Sequence, residues 1–184
     1  MAEPQTTRTT QTTRKTHAAE ASVLTCHELP EGALAGLLAG YGIELVKVPE
    51  GEPVPGSWFG AREAGIRGRC VCVRPDTPVH SALHEACHLV CATVEGRGPI
   101  DADAGGGYAE EDAVCYLQIL LAARLYGFGR DRALADMDAW GYTFRLGSAR
   151  DWFERDAEDA RTWLAARGLV DVAGEPVVRR VFPL

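Results

Sequence analysis

The chain has 184 residues, of which 46% are hydrophobic and 24% charged, and its formal net charge is −7. This composition is typical of a globular protein of one domain, and it excludes a collagen-like chain, wholesale disorder and a coiled-coil rod. The acidic balance also argues against nucleic acid and anionic lipid as partners, because it lacks the positive surplus that attracts phosphate groups.

The apolar segments and the cysteines predict the compartment. No apolar stretch approaches the roughly 18 residues that cross a bilayer, and the N-terminal segment contains no hydrophobic region typical of a signal peptide. We therefore expect a cytoplasmic protein that does not enter a membrane. Without an export signal, the six cysteines are expected to be reduced and mostly buried instead of forming a disulfide framework.

The first half of the chain predicts a tail followed by a helix and two strands. Residues 1–22 are rich in threonine and poor in core-forming side chains, which predicts a disordered tail. The domain is expected to span 23–184. A helix should end at the glycines near residue 42, and alternating apolar residues predict strands at 43–48 and 69–73.

The second half of the chain is predicted to be helical. A cap signal and a proline precede the first of these helices, and Ser148 is expected to cap the last one. Glycine-rich or polar loops separate the helices, the longest at 96–107, and the segment from about residue 131 forms a C-terminal helical extension. The predicted helices cover 79–94, 109–126, 131–140 and 148–168.

The first of these helices contains His84, Glu85, Ala86, Cys87 and His88, which form an HExxH pattern. Residues four apart lie on one face of a helix, so both imidazoles can bind a single Zn²⁺. Glu85 is rotated about 100° from His84, which places its carboxylate beside the metal. There it can act as general base toward a metal-bound water, whose pKa zinc lowers to roughly 7.

A hydrolytic zinc site needs a third protein ligand, and the helix that begins at residue 109 offers Glu110 and Glu111. Glu110 continues into the apolar face of that helix, whereas Glu111 shares its side with Cys115 and Gln118. A ligand to a buried metal should stand on the packed face, so the sequence favours Glu110. Either acid could instead stabilise the helix N-terminus.

The sequence does not identify the residue that would stabilise the oxyanion. Peptide hydrolysis requires a group that stabilises the oxyanion, and Tyr108, Tyr142 and His80 are candidates that the sequence does not rank. His80 precedes His84 by four residues, but its place in the first helical turn favours a surface or capping histidine.

The segments around the motif resemble the ImmA/IrrE-type metallopeptidases over about residues 30–124. The matching segments are LAGYGIELV at 38–46, CVCV at 70–73, HEACH at 84–88 and EEDAVCYLQILL at 110–121. The resemblance implies a zincin-like α+β fold, in which a small mixed sheet accompanies the HExxH active-site helix and several further helices. It also implies that Glu110 is the third zinc ligand, and that the substrate is an intracellular regulatory protein such as a transcriptional repressor.

Two functions are expected from these observations. The first is a zinc metallopeptidase in which His84, His88 and Glu110 hold Zn²⁺ and Glu85 is catalytic, acting on a protein or peptide substrate. The alternative is a catalytically silent zincin scaffold that serves as a regulatory or protein-interaction module. Val114 replaces the Asn or Asp usual in the family, and the C-terminal helices match no known pattern, which motivates this alternative.

Overall fold

The structure is a computed structural model that describes residues 22–57, 60, 62–97, 100–101 and 106–180. The predicted tail lies outside these residues, apart from its last position, and so does half of the loop expected at 96–107. The described residues combine helices with a small mixed sheet, as the sequence predicted for the fold class.

The described part of the chain contains six α-helices and four strands. The helices are α1 (Ala33–Gly40), α2 (Val79–Val94), α3 (Tyr108–Arg124), α4 (Arg130–Trp140), α5 (Ala149–Arg155) and α6 (Glu158–Ala166). The strands are β1 (Glu44–Lys47), β2 (Gly65–Gly68), β3 (Cys70–Val73) and β4 (Ile100–Asp101). A short 3-10 turn, Cys26–Glu28, precedes α1.

The strands form one sheet in the order β1-β3-β2-β4. β3 pairs in parallel with β1 and antiparallel with β2, which in turn pairs antiparallel with β4. Val71 stands at the centre, opposite Leu45 on one side and Ile66 on the other. Val71 and Ile66 are fully buried, and α2 packs against β2 and β3.

Helices α2 and α3 pack side by side and form the centre of the main core. Leu83, Ala86 and Val90 of α2 share this core with Leu117 and Leu121 of α3, and each of these side chains is at most 1% exposed. This packing fixes the HExxH segment of α2 against the first three turns of α3. Any site built from both helices is therefore held by apolar burial on both sides.

The sequence located most helices correctly and missed part of the sheet. The predicted helix at 79–94 coincides with α2, and α3 and α4 begin within one residue of their expected starts. β2 was not expected, because its sequence Gly-Ile-Arg-Gly is framed by glycines and is typical of a loop. β4 lies within the segment expected to be a loop.

The segment predicted as one helix at 148–168 forms two helices, so the prediction of a continuous helix was wrong. The cap is confirmed, since the backbone N–H of Asp151 donates to Oγ of Ser148 over 3.1 Å. The helix breaks at Asp156 and Ala157, between α5 and α6. The break allows Ala157 to pack with Trp152 in a second apolar cluster beside α3 and α4.

The expectation for the cysteines is confirmed. All six thiols are free, and four of them are buried: Cys72, Cys87, Cys91 and Cys115. None of the helices in the described ranges has the length and apolar character that a membrane span requires.

Asp136 joins the start of the described chain to α4, and its loss is expected to destabilise the protein. Its side chain is 4% exposed; it accepts hydrogen bonds from the Leu24 backbone N–H at 2.8 Å and from Arg132 at 2.6 Å. Asp136→Ala should lower the free energy of unfolding by about 2 kcal/mol, because both donors lose their acceptor. Denaturant titration measures this. Asp131→Ala on the same helix is the control, since its carboxylate is 86% exposed, and equal losses for both variants would contradict the prediction.

Candidate metal centre

His84 and His88 stand one turn apart on α2 and converge as their spacing predicts. Their rings are nearly perpendicular, with centroids 4.6 Å apart, and the two Nε2 atoms are separated by 3.1 Å. Both side chains are mostly buried, with about one sixth of their surface exposed (16% and 15%). The two imidazoles thus direct ring nitrogens toward one another, at a point that a ligand can still reach.

Glu111 completes this arrangement from the first turn of α3. Its Oε1 lies 3.3 Å from Nε2 of His84, and its Oε2 lies 3.4 Å from Nε2 of His88. Atoms bound to one tetrahedral zinc at 2.0–2.2 Å would be separated by roughly 3.3–3.6 Å. The three side chains therefore have nearly the spacing that a shared zinc ion requires.

The structure brings Glu111 to the histidines and turns Glu110 away from them, although the sequence favoured Glu110 as the ligand. The Glu110 carboxylate forms an ion pair with Arg97 and is 9% exposed. It also packs against Gly106, where an added Cβ would lie 2.9 Å from Cδ of Glu110. Glu110 is indeed buried, but the charge of its carboxylate is balanced by Arg97. The side of α3 that faces His84 is the more polar one.

Gln118 sets the orientation of His84. Its Nε2 donates to the backbone carbonyl of His80 over 3.1 Å, which leaves its amide oxygen 3.0 Å from Nδ1 of His84. Because a carbonyl oxygen only accepts, Nδ1 of His84 carries the hydrogen. In a neutral imidazole the lone pair then lies on Nε2, the atom that faces Glu111 and His88. Metal-binding histidines are usually oriented by a hydrogen bond of this kind.

The site favours positive charge. Burial alone would lower the pKa of His84, but Tyr142, Cys115 and Glu111 raise it well above its usual value. Burial would likewise raise the pKa of Glu111, but its contacts with both histidines lower it. A carboxylate and two imidazoles thus face one another with an excess of acceptor atoms. This chemistry fits a divalent cation with nitrogen and oxygen ligands.

Glu85 lies beside the same site, as the sequence predicted from its position in the motif. Burial raises the pKa of its carboxyl group to about 7; the nearby acids Glu63 and Glu111 add to this effect, while His84 opposes it. These interactions place Glu85 within electrostatic range of His84 and Glu111.

His80 is not the surface or capping histidine expected from the sequence. Its side chain is fully buried, and its ring packs against Trp140 at 5.3 Å and Tyr142 at 5.6 Å. Burial, together with the charges of His84 and Arg62, lowers its pKa to about 3. His80 is therefore a neutral ring in the wall behind the site.

Of the oxyanion candidates, Tyr142 is the one whose ring contacts His84. Its ring lies edge-on to that of His84, with centroids 5.8 Å apart. Burial raises the pKa of its hydroxyl to about 12, while the charge of His84 and an interaction with Gln118 oppose this shift. Tyr108, by contrast, is 95% exposed.

Cys115 is a neighbour of the site that sequence reasoning did not identify. One ligand atom each from His84, Glu111 and Cys115 lies within 4.8 Å of the other two. Positions 111, 115 and 118 are spaced at i, i+4 and i+7, so they share one face of α3. That spacing is the signal in the sequence that could have identified both Cys115 and Gln118.

No protein-family model, curated protein or solved structure matches this chain. The geometry of the metal centre, together with the motif, is therefore what supports a function.

Proposed function

We propose that the protein is a zinc-dependent metallopeptidase, with His84, His88 and Glu111 as the ligands of Zn²⁺. The observation that carries the proposal is the convergence of these three side chains from two helices, with separations of 3.1–3.4 Å. The α2 helix beneath a small mixed sheet is also consistent with a zincin-like fold.

The chemistry of the proposed reaction is divided between the metal and Glu85. When bound, Zn²⁺ supplies Lewis acidity, which lowers the pKa of a coordinated water and polarises the carbonyl group under attack. The Glu85 carboxylate takes the proton from the attacking water and later delivers it to the leaving amine. Gln118 would keep the Nε2 lone pair of His84 directed toward a bound metal, and Tyr142, whose ring contacts His84, is the proposed hydrogen-bond donor to the developing oxyanion.

The proposed substrate is a protein or peptide inside the cell. A transcriptional regulator is the class of substrate that the resemblance to ImmA/IrrE-type peptidases suggests. The net charge of −7 gives no support for nucleic acid as a direct partner.

The alternative function, a silent scaffold that binds a partner without cleaving it, is favoured by one observation. Cys115 adds a thiol to the surroundings of the three ligands, and a fourth protein ligand would compete with water for the metal. Metal binding alone does not separate the two functions, so cleavage has to be measured directly.

Metal analysis followed by a cleavage screen tests the proposal. The purified wild-type chain should contain about one zinc per molecule, and His88→Ala should contain none. Co-expression with candidate regulators should then produce a cleaved fragment with the wild type and not with His88→Ala. A wild-type chain that binds no zinc contradicts both functions, whereas zinc binding without cleavage of any candidate leaves the silent scaffold.

Gln118 should contribute to zinc affinity through His84. Gln118→Leu removes the acceptor for the Nδ1 hydrogen and should weaken zinc binding about 10–100-fold. Gln118→Glu keeps an acceptor at that position and should retain more of the affinity. Competition with a chromophoric chelator measures both dissociation constants, and wild-type affinity in the Leu variant would contradict this role.

A further inference from the structure

We propose that Cys115 is a fourth protein ligand of the metal, and that its thiolate closes the coordination shell of the resting protein. This inference rests on the metal centre of the proposed function and concerns how that centre is regulated.

The position of Cys115 on α3 supports this role. It follows Glu111 by one helical turn, so both side chains project toward His84. Its sulfur lies within 4.8 Å of a ring nitrogen of His84 and of a carboxylate oxygen of Glu111. Only 6% of Cys115 is exposed. The sulfur therefore lies beside two of the three proposed ligands.

A thiolate would balance the charge of a zinc ion in this site. Two neutral imidazoles and one carboxylate leave Zn²⁺ with a net charge of +1, and burial makes an uncompensated charge costly. A thiolate from Cys115 would make the assembly neutral. Thiolate sulfur is also among the preferred ligands of zinc, and sites with mixed sulfur and nitrogen ligands are common.

The other buried thiols do not share this position. Cys87 and Cys91 lie on α2 next to the motif, but both pack in the main apolar core with Leu83 and Val90. Cys115 belongs to the second apolar cluster, but its sulfur also lies near ligand atoms of His84 and Glu111. Among the described cysteines it is the one grouped with His84 and Glu111.

A fourth protein ligand has a direct consequence for activity. Hydrolytic zinc sites keep one position for water, whereas sites with four protein ligands are closed. With Cys115 bound, the resting protein holds its metal without an accessible position, and cleavage requires that the thiolate leave the metal. Cys115 would thus act as an internal inhibitor of the peptidase.

Cobalt substitution of the full chain tests this inference without an activity assay. Co²⁺ bound by a thiolate shows a sulfur-to-metal charge-transfer band in the near ultraviolet, whereas Co²⁺ bound by nitrogen and oxygen ligands does not. The wild type loaded with one equivalent of Co²⁺ should show this band. Cys115→Ser should bind Co²⁺ without the band, and Cys72→Ser, a buried thiol on β3, should keep it.

An added chelating ligand gives a second measurement. Acetohydroxamate should change the visible spectrum of Co²⁺ in Cys115→Ala, whose shell has an open position, and should leave the wild-type spectrum nearly unchanged. If Cys115→Ser does not fold, the wild-type spectrum and the Ala variant still decide the matter.

The outcomes separate this inference from the proposed function. Bound Co²⁺ without a charge-transfer band in the wild type overturns the role of Cys115 and leaves the metal centre intact. A band that persists in both Cys115 variants also overturns it, because another thiol is then the ligand. A wild-type chain that binds no Co²⁺ overturns the metal centre itself.

Discussion

Glu111→Gln is expected to abolish zinc binding, whereas Glu110→Gln is expected to leave about one zinc per chain. An amide at position 111 removes the negative charge and the strong oxygen ligand that faces His84 and His88. Changes to residues that only orient a ligand weaken metal binding about 10–100-fold. Loss of a ligand should therefore weaken it by at least about 100-fold.

The neighbouring position provides the matched control for this substitution. Glu110 has the same side chain and lies one residue away, but it forms an ion pair with Arg97 instead of facing the histidines. Glu110→Gln should therefore lower stability by about 1–3 kcal/mol through the weakened pair, while zinc affinity falls much less than in Glu111→Gln. Zinc content by elemental analysis and thermal unfolding of both variants measure these effects. Loss of zinc from the Glu110 variant alone would restore the ligand set favoured by the sequence.

Glu85→Gln is expected to lower the rate of peptide cleavage by about 10²–10⁴-fold, the usual contribution of a general base. Gln has nearly the same shape as Glu, but it cannot take a proton from water at neutral pH. Zinc content should remain at about one per chain, because Glu85 is not one of the proposed ligands. Loss of cleavage with retained zinc distinguishes a general base from a metal ligand.

A cleavage assay with the substrate found by co-expression measures this effect. Glu95→Gln is a suitable control, because Glu95 follows the last turn of the same helix and forms an ion pair with Arg167, remote from the motif. It should cleave at the wild-type rate. Retained cleavage in a zinc-loaded Glu85→Gln protein would exclude Glu85 as the base.

The convergence of His84 and His88 could be predicted because it depends on local geometry alone. Residues four apart on any α-helix lie on the same face, and the apolar residues of α2 predicted that helix reliably. The position of Glu85 beside them could be predicted for the same reason. These parts of the site needed no knowledge of tertiary packing.

The third ligand could not be predicted in this way, because it depends on which face of α3 meets α2. A ligand to a buried metal is expected to be buried itself, and Glu110 is indeed buried. However, its charge partner is Arg97, and Arg97 lies in a glycine-rich segment whose path the sequence does not specify.

The strand Gly65–Gly68 also depends on tertiary structure, because its pairing with Cys70–Val73 outweighs the low strand propensity of its glycines.

The ion pair between Arg97 and Glu110 has a consequence beyond stability. Arg97 follows the end of α2, and Glu110 stands in the first turn of α3. The pair therefore links the end of one helix to the start of the next. The histidines and Glu111 are thereby kept in register before any cation arrives. Such preorganisation reduces the entropy lost when an ion binds, and it gives the rejected ligand Glu110 a part in the affinity of the site.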